Sequence, residues 1–305
     1  MSAKRKQKKS PFKSLISLVL VLAILFGGGY LYENYYNPPA PISLSEIPEF
    51  SDSPYVCING NIPFFTDKEI TTESYESYSP LDELGRCGVA IACCGKEIMP
   101  APDEDRGSIS SVKPTGWIQA QYDCVSGQSL YNRCHLIAWQ LSAENANNKN
   151  LITGTKYMNI DGMYPFENLV ADYIKETENH VMYRVTPVFE GNNLLASGVQ
   201  LEAYSVEDGG ESICFNVFCY NVQPYIVINY ATGSSYFDEQ AFENNKPSLD
   251  DVGTYSLNKN SKKIHHPSCS SVSQMSASNR VEYTGTVNDL LVQGYVKCGN
   301  CFAGQ

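Results

Sequence analysis

The alternation of apolar and polar residues predicts six short β-strands in the middle of the chain. Runs rich in Val, Ile, Tyr, Phe and Cys are bounded by Gly or Asn, which favour turns. We predict strands at 55–58, 88–93, 181–189, 198–203, 212–220 and 225–228. One helix is expected to begin near Pro165, with an apolar face formed by Phe166, Leu169, Val170, Tyr173 and Ile174. These elements predict an α+β fold with a mostly antiparallel sheet and few helices.

A second pattern lies near the N-terminus, where residues 14–32 form a run without charge. Such a run is long enough to cross a bilayer as a helix. Six basic residues precede it, so the positive-inside rule places residues 1–13 in the cytoplasm and the chain after Glu33 outside the cell. The alternative is a cleaved signal peptide and a secreted protein. We favour the anchor, because the run exceeds the usual length of a signal-peptide core.

The remaining composition divides the chain further. Residues 33–50 are proline-rich and predict a semi-extended stalk. Residues 51–230 are expected to form the main domain, residues 231–252 a polar and acidic linker, and residues 253–305 a second, small unit.

The charge is unevenly distributed. All 33 acidic residues follow the apolar run, where they outnumber the basic residues. Nucleic-acid-binding proteins normally present a basic face to phosphates. An acidic body therefore argues against tight, sequence-specific DNA binding. It is compatible with a hydrolase that has a small cationic cleft and must release its product.

Residues 131–167 carry the candidate chemistry. His135 is suited to general-base catalysis, since a neutral imidazole accepts a proton from water near pH 7. Arg133 offers a guanidinium fork that matches phosphoryl oxygens. Asn159 offers a neutral oxygen ligand for Mg²⁺ shared with a substrate phosphate. A base, a metal ligand and an arginine are the groups that phosphodiester hydrolysis requires.

The spacing of these residues resembles a known family. Asn-Arg-Cys-His stands at 132–135, Asn-Leu-Ile-Thr at 150–153, and Asn159 and Glu167 follow. This resembles the DNA/RNA non-specific endonucleases of the ββα-metal type, whose signature is D-R-G-H followed by an N-I-T-like segment, a metal-binding asparagine and a glutamate. The similarity runs from about residue 55 to residue 230.

The resemblance implies a ββα-metal nuclease fold and assigns roles to several residues. His135 would be the general base, Asn159 the direct Mg²⁺ ligand, and Glu167 the group that holds metal-bound waters. Arg133 and Asn150 would support the site. Arg106 lies where the family tends to supply a further phosphate-binding arginine; the alternative is a surface ion pair with Asp103 or Asp105.

Two features depart from the family pattern. Asn132 and Cys134 replace the aspartate and glycine of the signature, so the turn before His135 lacks glycine's conformational freedom. Pro165 lies between Asn159 and Glu167, and an interior proline breaks or kinks a helix. A helix that begins near Pro165 is therefore expected, in place of one uninterrupted helix carrying both residues.

The C-terminal unit contains four residues with metal-ligand spacing. His265 and Cys269 form one pair, and Cys298 and Cys301 form another, which suits tetrahedral Zn²⁺. The pattern is similar to the small zinc-binding module at the start of Ada-type DNA-repair proteins, with His265 in place of the first cysteine. His266 is an alternative ligand. A disulfide or free thiols are the alternatives to zinc, because the unit is expected outside the cell.

The other cysteines and histidines leave rival interpretations. Eight cysteines fall in the main domain, and the sequence cannot choose their pairing. Cys134 as a nucleophile beside His135 would make a cysteine hydrolase, but adjacent strand residues point to opposite faces. His180 is expected to be structural or exposed, and Asn145, Asn147 and Asn148 are assigned no role.

The sequence thus predicts a membrane-anchored, extracellular, Mg²⁺-dependent endonuclease of low sequence specificity with a zinc-binding module. The main alternative is a membrane-anchored nucleic-acid-binding protein, such as a DNA-uptake receptor, on a nuclease-like scaffold.

Overall fold

The structure is a computed structural model, and it describes residues 43–245, 251–299 and 301–302. The predicted basic tail, the predicted membrane span at 14–32 and most of the predicted stalk lie outside these residues. Within the described ranges, no helix has both the length and the apolar character needed to cross a membrane.

Fourteen strands and five α-helices make up the described ranges. The strands are β1 (Tyr55–Cys57), β2 (Tyr75–Tyr78), β3 (Ala90–Cys94), β4 (Tyr131–His135), β5 (Leu151–Thr155), β6 (Val181–Val188), β7 (Gly198–Ser205), β8 (Cys214–Tyr220), β9 (Ile226–Ile228), β10 (Ser235–Phe237), β11 (Gly253–Asn258), β12 (Lys263–His265), β13 (Arg280–Gly285) and β14 (Val296–Lys297). The helices are α1 (Trp139–Ser142), α2 (Tyr164–Thr177), α3 (Glu239–Asn245), α4 (Ser270–Ser273) and α5 (Val287–Val292). A π-helical turn (Met158–Met163) precedes α2, and two 3₁₀ turns lie at Leu44–Glu46 and Asn59–Asn61.

A six-stranded sheet forms the body of the main domain. Its strand order is β1-β8-β7-β6-β3-β2, and every neighbouring pair is antiparallel. All six predicted strands are found within a few residues of their expected bounds, which confirms the α+β, mostly antiparallel prediction. Strand β2 was not predicted, since its Tyr-Glu-Ser-Tyr sequence has no apolar run.

One face of this sheet packs against α2 and the β4–β5 hairpin. Val181, Tyr183 and Val185 of β6 point into this core, which Val170 and Ile174 of α2 cover from the other side. The prediction that Leu169 belongs to the apolar face of the helix is wrong, because 49% of its surface is exposed. Leu169 lies one residue before the buried stripe and faces away from the sheet.

The opposite face of the sheet carries a buried polar network, which the segment before β2 covers, and an apolar cluster that includes Val188 and Phe218. Arg184 donates to both carboxylate oxygens of Glu202, at 2.8 and 3.2 Å, and to Glu69 at 2.9 Å. Arg184 and Glu202 are almost fully buried. Such a pair is stable only when its hydrogen bonds are satisfied, and here the Phe64 amide donates to Glu202 at 2.7 Å.

Residues on both sides of the 51–230 range pack against it or form secondary structure. Tyr220 donates to the Pro48 carbonyl at 2.8 Å, and the Phe50 ring packs edge-on against Tyr220. The end of the predicted stalk therefore belongs to the domain. The first part of the predicted 231–252 linker contains β10, which pairs with β9, and α3. Phe242 of α3 is buried against Tyr225 and Phe237, which explains why this acidic segment is ordered.

The predicted C-terminal unit forms its own sheet and core. Its strand order is β13-β11-β12-β14, with β12 and β14 parallel. A separate apolar cluster that includes Leu257, Ile264, Val272, Leu290 and Phe302 lies beneath the sheet.

Candidate active site

The β4–β5 hairpin sets the side chains of the first motif on two faces. The strands pair antiparallel, with Arg133 opposite Thr153 and His135 opposite Leu151. Successive strand residues alternate in direction, so Arg133 and His135 line a cleft whereas Cys134 lies in the core. Burial raises the pKa of the Cys134 thiol far above its ordinary value. A buried, protonated thiol that faces the core cannot serve as a nucleophile, which excludes the cysteine-hydrolase alternative.

The hydrogen bonds of His135 fix its tautomer. Its Nε2 lies 3.0 Å from the Asn145 carbonyl oxygen, and its Nδ1 lies 3.1 Å from Nη2 of Arg106. A carbonyl can only accept a hydrogen bond and an arginine can only donate one. Nε2 therefore carries the proton, and Nδ1 holds the lone pair, which accepts the hydrogen bond from Arg106.

The surroundings of His135 also keep it neutral. The residue is only 6% exposed, and burial lowers the pKa of its imidazole from the usual value. The charge of Arg106 lowers this pKa further, whereas the carbonyl of Asn145 and the carboxylate of Glu144 oppose the shift. Because the net direction is downward, His135 is unprotonated at neutral pH.

Arg106 reaches the cleft from the loop before β4. The structure records no ion pair between Arg106 and either Asp103 or Asp105, although all three residues are described. The guanidinium contacts His135 instead and lines the cleft. The alternative of a surface ion pair is therefore wrong.

The Arg133 guanidinium is held by two backbone carbonyls and an aromatic ring. Its Nε donates to the Val112 carbonyl at 2.5 Å and its Nη2 to the Ser110 carbonyl at 3.2 Å. The guanidinium also lies over the Trp117 ring, 4.2 Å from the ring centroid. Two of its three nitrogens thus anchor the 110–117 segment that forms one wall of the cleft.

Asn150 is fully buried and lies outside the cleft. Its Oδ1 accepts a hydrogen bond from the Ile137 amide at 2.8 Å, and its Nδ2 donates to the Ile137 carbonyl at 3.0 Å. These two bonds satisfy backbone groups that would otherwise be unpaired in the core. Asn150 thereby fixes the chain that leaves His135 at the end of β4.

Asn159 and Glu167 lie on one continuous helical segment, in contrast to the prediction. Asn159 is in the π-helical turn and Glu167 is in the first turn of α2, with no break between them. The Tyr164 amide donates to the Asn159 carbonyl, five residues earlier. The widened turn accommodates Pro165, which has no amide proton for an α-helical bond.

Glu167 is a largely buried residue whose carboxyl has no partner among the described residues. Only 9% of the residue is exposed, and it makes no hydrogen bond or ion pair with any described residue. Burial raises the pKa of Glu167 to about 8, although the Arg106 charge opposes this shift. The Asn159 side chain likewise forms no hydrogen bond within the described ranges. A buried carboxyl and a free amide oxygen on the wall of one cleft fit a hydrated divalent cation.

The cleft that joins these groups has a volume of about 640 Å³. The chain contains 2 tryptophans, and both line the cleft. The sequence motif thus identifies a real constellation: the structure brings His135, Arg133, Arg106, Asn159 and Glu167 to one cleft and leaves Asn150 in the core behind it.

The part of the chain that contains this site matches a known protein family. Residues 66–207 match the family model described as DNA/RNA non-specific endonuclease. The protein is a nuclease, and the match to this family is confined to the stretch that contains the cleft. The matched stretch contains the cleft motif from Arg106 to Glu167 and lies within the 55–230 range that the sequence predicted. No curated protein matches the chain.

Solved nuclease structures share the fold. NucA from Streptococcus agalactiae with magnesium bound is 26% identical, with a TM-score of 0.52, and the match covers 59% of this chain and 85% of NucA. The metal-free form of NucA gives 23% identity and a TM-score of 0.54, covering 64% of this chain and 92% of NucA. The Sda1 nuclease with a bound zinc ion gives 25% identity and a TM-score of 0.51, covering 63% of this chain and 98% of Sda1.

The cysteines of the nuclease domain form no disulfide in the structure. All eight are free, with Cys57 and Cys214 exposed and most of the others buried. Cys87 donates to the carbonyls of Asn148 and Leu151, both at 3.3 Å. The buried thiols thus behave as small core residues.

The predicted zinc ligands of the C-terminal unit converge. One ligand atom each from His265, Cys269, Cys298 and Cys301 lies within 4.8 Å of the others. Nδ1 of His265 is buried and has no hydrogen-bond partner in the structure. His266, the alternative ligand, stacks on Phe302 with ring centroids 4.4 Å apart. Three thiols and one unpaired imidazole nitrogen are a donor set that fits Zn²⁺.

His180 has a structural environment, as predicted. Its Nδ1 lies 2.6 Å from Glu207 and its Nε2 lies 3.5 Å from Glu97. It does not line the cleft. Asn145, which was assigned no role, contacts the imidazole of His135. A single sequence offers no signal for this, since Asn145 is one of several asparagines in the same loop.

Proposed function

We propose that the protein is a Mg²⁺-dependent endonuclease that hydrolyses phosphodiester bonds of DNA, RNA or both, with His135 as general base. The observation that carries the proposal is the bonding of the imidazole, which leaves the Nδ1 lone pair in the cleft. Neutral, oriented imidazoles accept protons from water at neutral pH. Because the protein is a nuclease, the bond that such a water would attack is a phosphodiester.

The residues of the cleft have different roles in this reaction. His135 takes the proton of the attacking water at Nδ1, while the Asn145 carbonyl stabilises the imidazolium that forms by holding Nε2–H. Arg106 pairs with an oxygen of the scissile phosphate, since the residue is exposed and forms no ion pair with a carboxylate among the described residues. Arg133 maintains the cleft wall through its two bonds to backbone carbonyls.

Asn159 and Glu167 are the residues that would hold the metal. Asn159 would bind Mg²⁺ directly through its amide oxygen, and Glu167 would bind it through coordinated waters. The bound ion supplies positive charge that stabilises the scissile phosphate and the leaving oxygen. The buried, unpaired carboxyl of Glu167 supports this proposal, because a nearby cation favours the ionised form that burial alone opposes.

Low sequence specificity follows from the chemistry of these groups. Arg106 and a metal ion recognise phosphate, and phosphate contacts carry no sequence information. The whole chain carries a formal net charge of −11, which disfavours retention of the product.

Cleavage of circular DNA tests the proposal. The full-length chain is incubated with covalently closed plasmid and separately with RNA, with Mg²⁺ or with excess chelator. Conversion of the circle to nicked and linear forms only in the presence of Mg²⁺ is expected, since an exonuclease has no end to attack. Binding of DNA without cleavage would overturn the proposal in favour of a nucleic-acid-binding protein on this scaffold.

We further propose that the C-terminal unit, similar in pattern to the Ada-type module, holds structural Zn²⁺ through His265, Cys269, Cys298 and Cys301. The orphaned Nδ1 of His265 beside three thiols supports the proposal. Four protein ligands leave no open position, so the ion would stabilise the unit without reacting. Elemental analysis is expected to find about one zinc per chain, lost in Cys269→Ser and kept in Cys214→Ser, whose cysteine is exposed outside the cluster. Zinc content at background in the parent chain would contradict it.

The location of the domain is also a proposal. The basic residues 1–13 and the uncharged run 14–32 favour a single-pass anchor with the nuclease outside the cell; secretion after signal cleavage is the alternative. Membrane fractions washed with alkaline carbonate would retain an anchored chain and release a secreted one.

A further inference from the structure

Asn145 occupies an unusual place in the nuclease domain, because it contacts both sides of the Arg106–His135 pair. Its backbone carbonyl lies 3.0 Å from Nε2 of His135. Its side-chain Oδ1 accepts a hydrogen bond of 2.7 Å from the amide of Gly107, 38 residues away in the sequence. Gly107 directly follows Arg106, so the contacts among Asn145, His135, Arg106 and Gly107 form a closed ring.

The side chain of Asn145 is itself fixed. Its Nδ2 donates to the Ala143 carbonyl at 3.2 Å. A Cβ atom at Gly107 would lie 3.1 Å from Oδ1 and 3.2 Å from Cγ of Asn145, which is tighter than ordinary van der Waals contact. The Asn145 carboxamide therefore packs closely against Gly107, which has no side chain. The Gly107 amide proton faces Oδ1 of Asn145.

The loop that carries Arg106 has few other attachments. Within the described ranges, only two hydrogen bonds join residues 103–109 to chain outside residues 101–112. One is the contact of Arg106 with His135, and the other is the contact of Gly107 with Asn145. Loss of the second bond would leave the position of Arg106 dependent on the contact with His135 alone.

We propose that the Asn145 side chain is a positioning residue that holds Arg106 against His135 through the Gly107 amide. The inference rests on the proposed role of His135 as general base. Before substrate binds, the hydrogen bond between Asn145 and Gly107 keeps Arg106 beside His135, and the charge of Arg106 helps to keep the imidazole neutral. When a phosphate draws Arg106 away from Nδ1, the loop stays tethered at Gly107 and the lone pair becomes available to water.

The charges around the imidazole determine whether the pKa of His135 rises or falls when Arg106 moves. Arg106 from the loop lowers the pKa of His135, and Glu144 from the segment after α1 raises it. Arg133 and Glu167 line the same cleft. If Arg106 moves away, its repulsion of the imidazolium is lost and the ring becomes better hydrated. Both changes raise the pKa of His135.

The experiment is an NMR titration of His135 in the metal-free full chain, paired with the pH profile of kcat/KM. Asn145→Ala removes the side-chain tether and keeps the backbone carbonyl. Asn148→Ala is the matched control, because it makes the same substitution at an exposed position of the same loop. Arg106→Ala and the double variant Asn145→Ala/Arg106→Ala complete a double-mutant cycle.

Asn145→Ala is expected to move the His135 titration and the acidic limb of the profile to higher pH, as Arg106→Ala does. It should also lower kcat/KM roughly threefold to tenfold, the value of one neutral hydrogen bond. The double variant should move the titration no further than Arg106→Ala alone. Gly107→Ala, which crowds the same contact and leaves Asn145 intact, should shift it in the same direction.

The inference would be overturned if the His135 pKa in Asn145→Ala equalled that in Asn148→Ala. It would also be overturned if the pKa shifts of Asn145→Ala and Arg106→Ala added fully in the double variant. The NMR measurement needs neither nucleic acid nor activity. Failure of the positioning role is therefore distinguishable from failure of the proposed function, which would appear as Mg²⁺-dependent cleavage that survives loss of His135.

Discussion

Nδ1 of His135 lies 3.1 Å from Nη2 of Arg106, while the opposite ring nitrogen is held by the Asn145 carbonyl. This arrangement determines which nitrogen is basic and lowers the pKa of the imidazole. It also keeps beside the ring the guanidinium that we propose binds phosphate.

The pH dependence of kcat/KM should show an acidic limb below the usual titration range of histidine. His135 must be neutral to act as a base, and burial together with Arg106 lowers its pKa. Activity should therefore persist as pH falls through about 6.5 and decline only at more acidic pH. The profile is measured at saturating Mg²⁺, because the Glu167 carboxyl, whose pKa is raised to about 8 without metal, must be ionised to hold the ion. An acidic limb that stays above about 6.5 under these conditions would show that the imidazole is not held as described.

Glu167→Gln should abolish most activity yet stabilise the metal-free protein at alkaline pH. The pKa of Glu167 is raised to about 8, so folding carries a cost that appears as pH rises from about 4.5 through this value. Below pH 4.5 the carboxyl is neutral in both the folded and the unfolded states, and the variant should match the parent. At pH 9 the gain should reach a few kcal/mol. Equal stability of the two proteins in urea unfolding at pH 9 would contradict this.

Asn150→Ala should destabilise the domain by roughly 2–4 kcal/mol, because it leaves the amide and the carbonyl of Ile137 unpaired in the core. Activity should fall with it, since Ile137 lies two residues beyond His135. Asn148→Ala is the control and should change the free energy of unfolding by less than about 0.5 kcal/mol.

Glu202→Gln should cost roughly 1–3 kcal/mol in the free energy of unfolding, because Arg184 keeps its ion pair with Glu69. The substitution leaves the charge of Arg184, which is 1% exposed, without its bidentate partner. Glu282→Gln breaks the exposed pair with Arg280, whose atoms are 3.5 Å apart, and should have almost no effect. Similar losses in the two variants would mean that the buried pair does not support the sheet.

The sequence predicted those parts of the molecule that depend on local pattern. Strands β6, β7 and β8 were found because long apolar runs end at Gly or Asn. His135, Asn159 and Glu167 were found because the motif has fixed spacing along one hairpin and one helix. The convergence of His265, Cys269, Cys298 and Cys301 was predicted for the same reason, since each pair lies within a few residues.

Other features depend on contacts between distant residues and could not be predicted. The role of Asn145 arises from Gly107, 38 positions away. The β4–β5 hairpin was missed because one face of β4 presents Arg133 and His135 to the cleft, so the strand lacks a regular apolar alternation. The continuity of the helix through Pro165 depends on a π-helical turn, for which the sequence carries no evident signal.

Chemical rescue of His135→Gly tests the central claim most directly. The variant should lose roughly 10²–10⁴-fold in the rate of Mg²⁺-dependent plasmid cleavage, the usual contribution of a general base. Added imidazole can enter the cleft of about 640 Å³ and should restore part of the rate, in proportion to the neutral form of the buffer. His180→Gly, with the same substitution away from the cleft, should need no rescue. Cleavage by His135→Gly at the parental rate, or a loss that no imidazole concentration relieves in a folded protein, would contradict the assignment of His135 as the base.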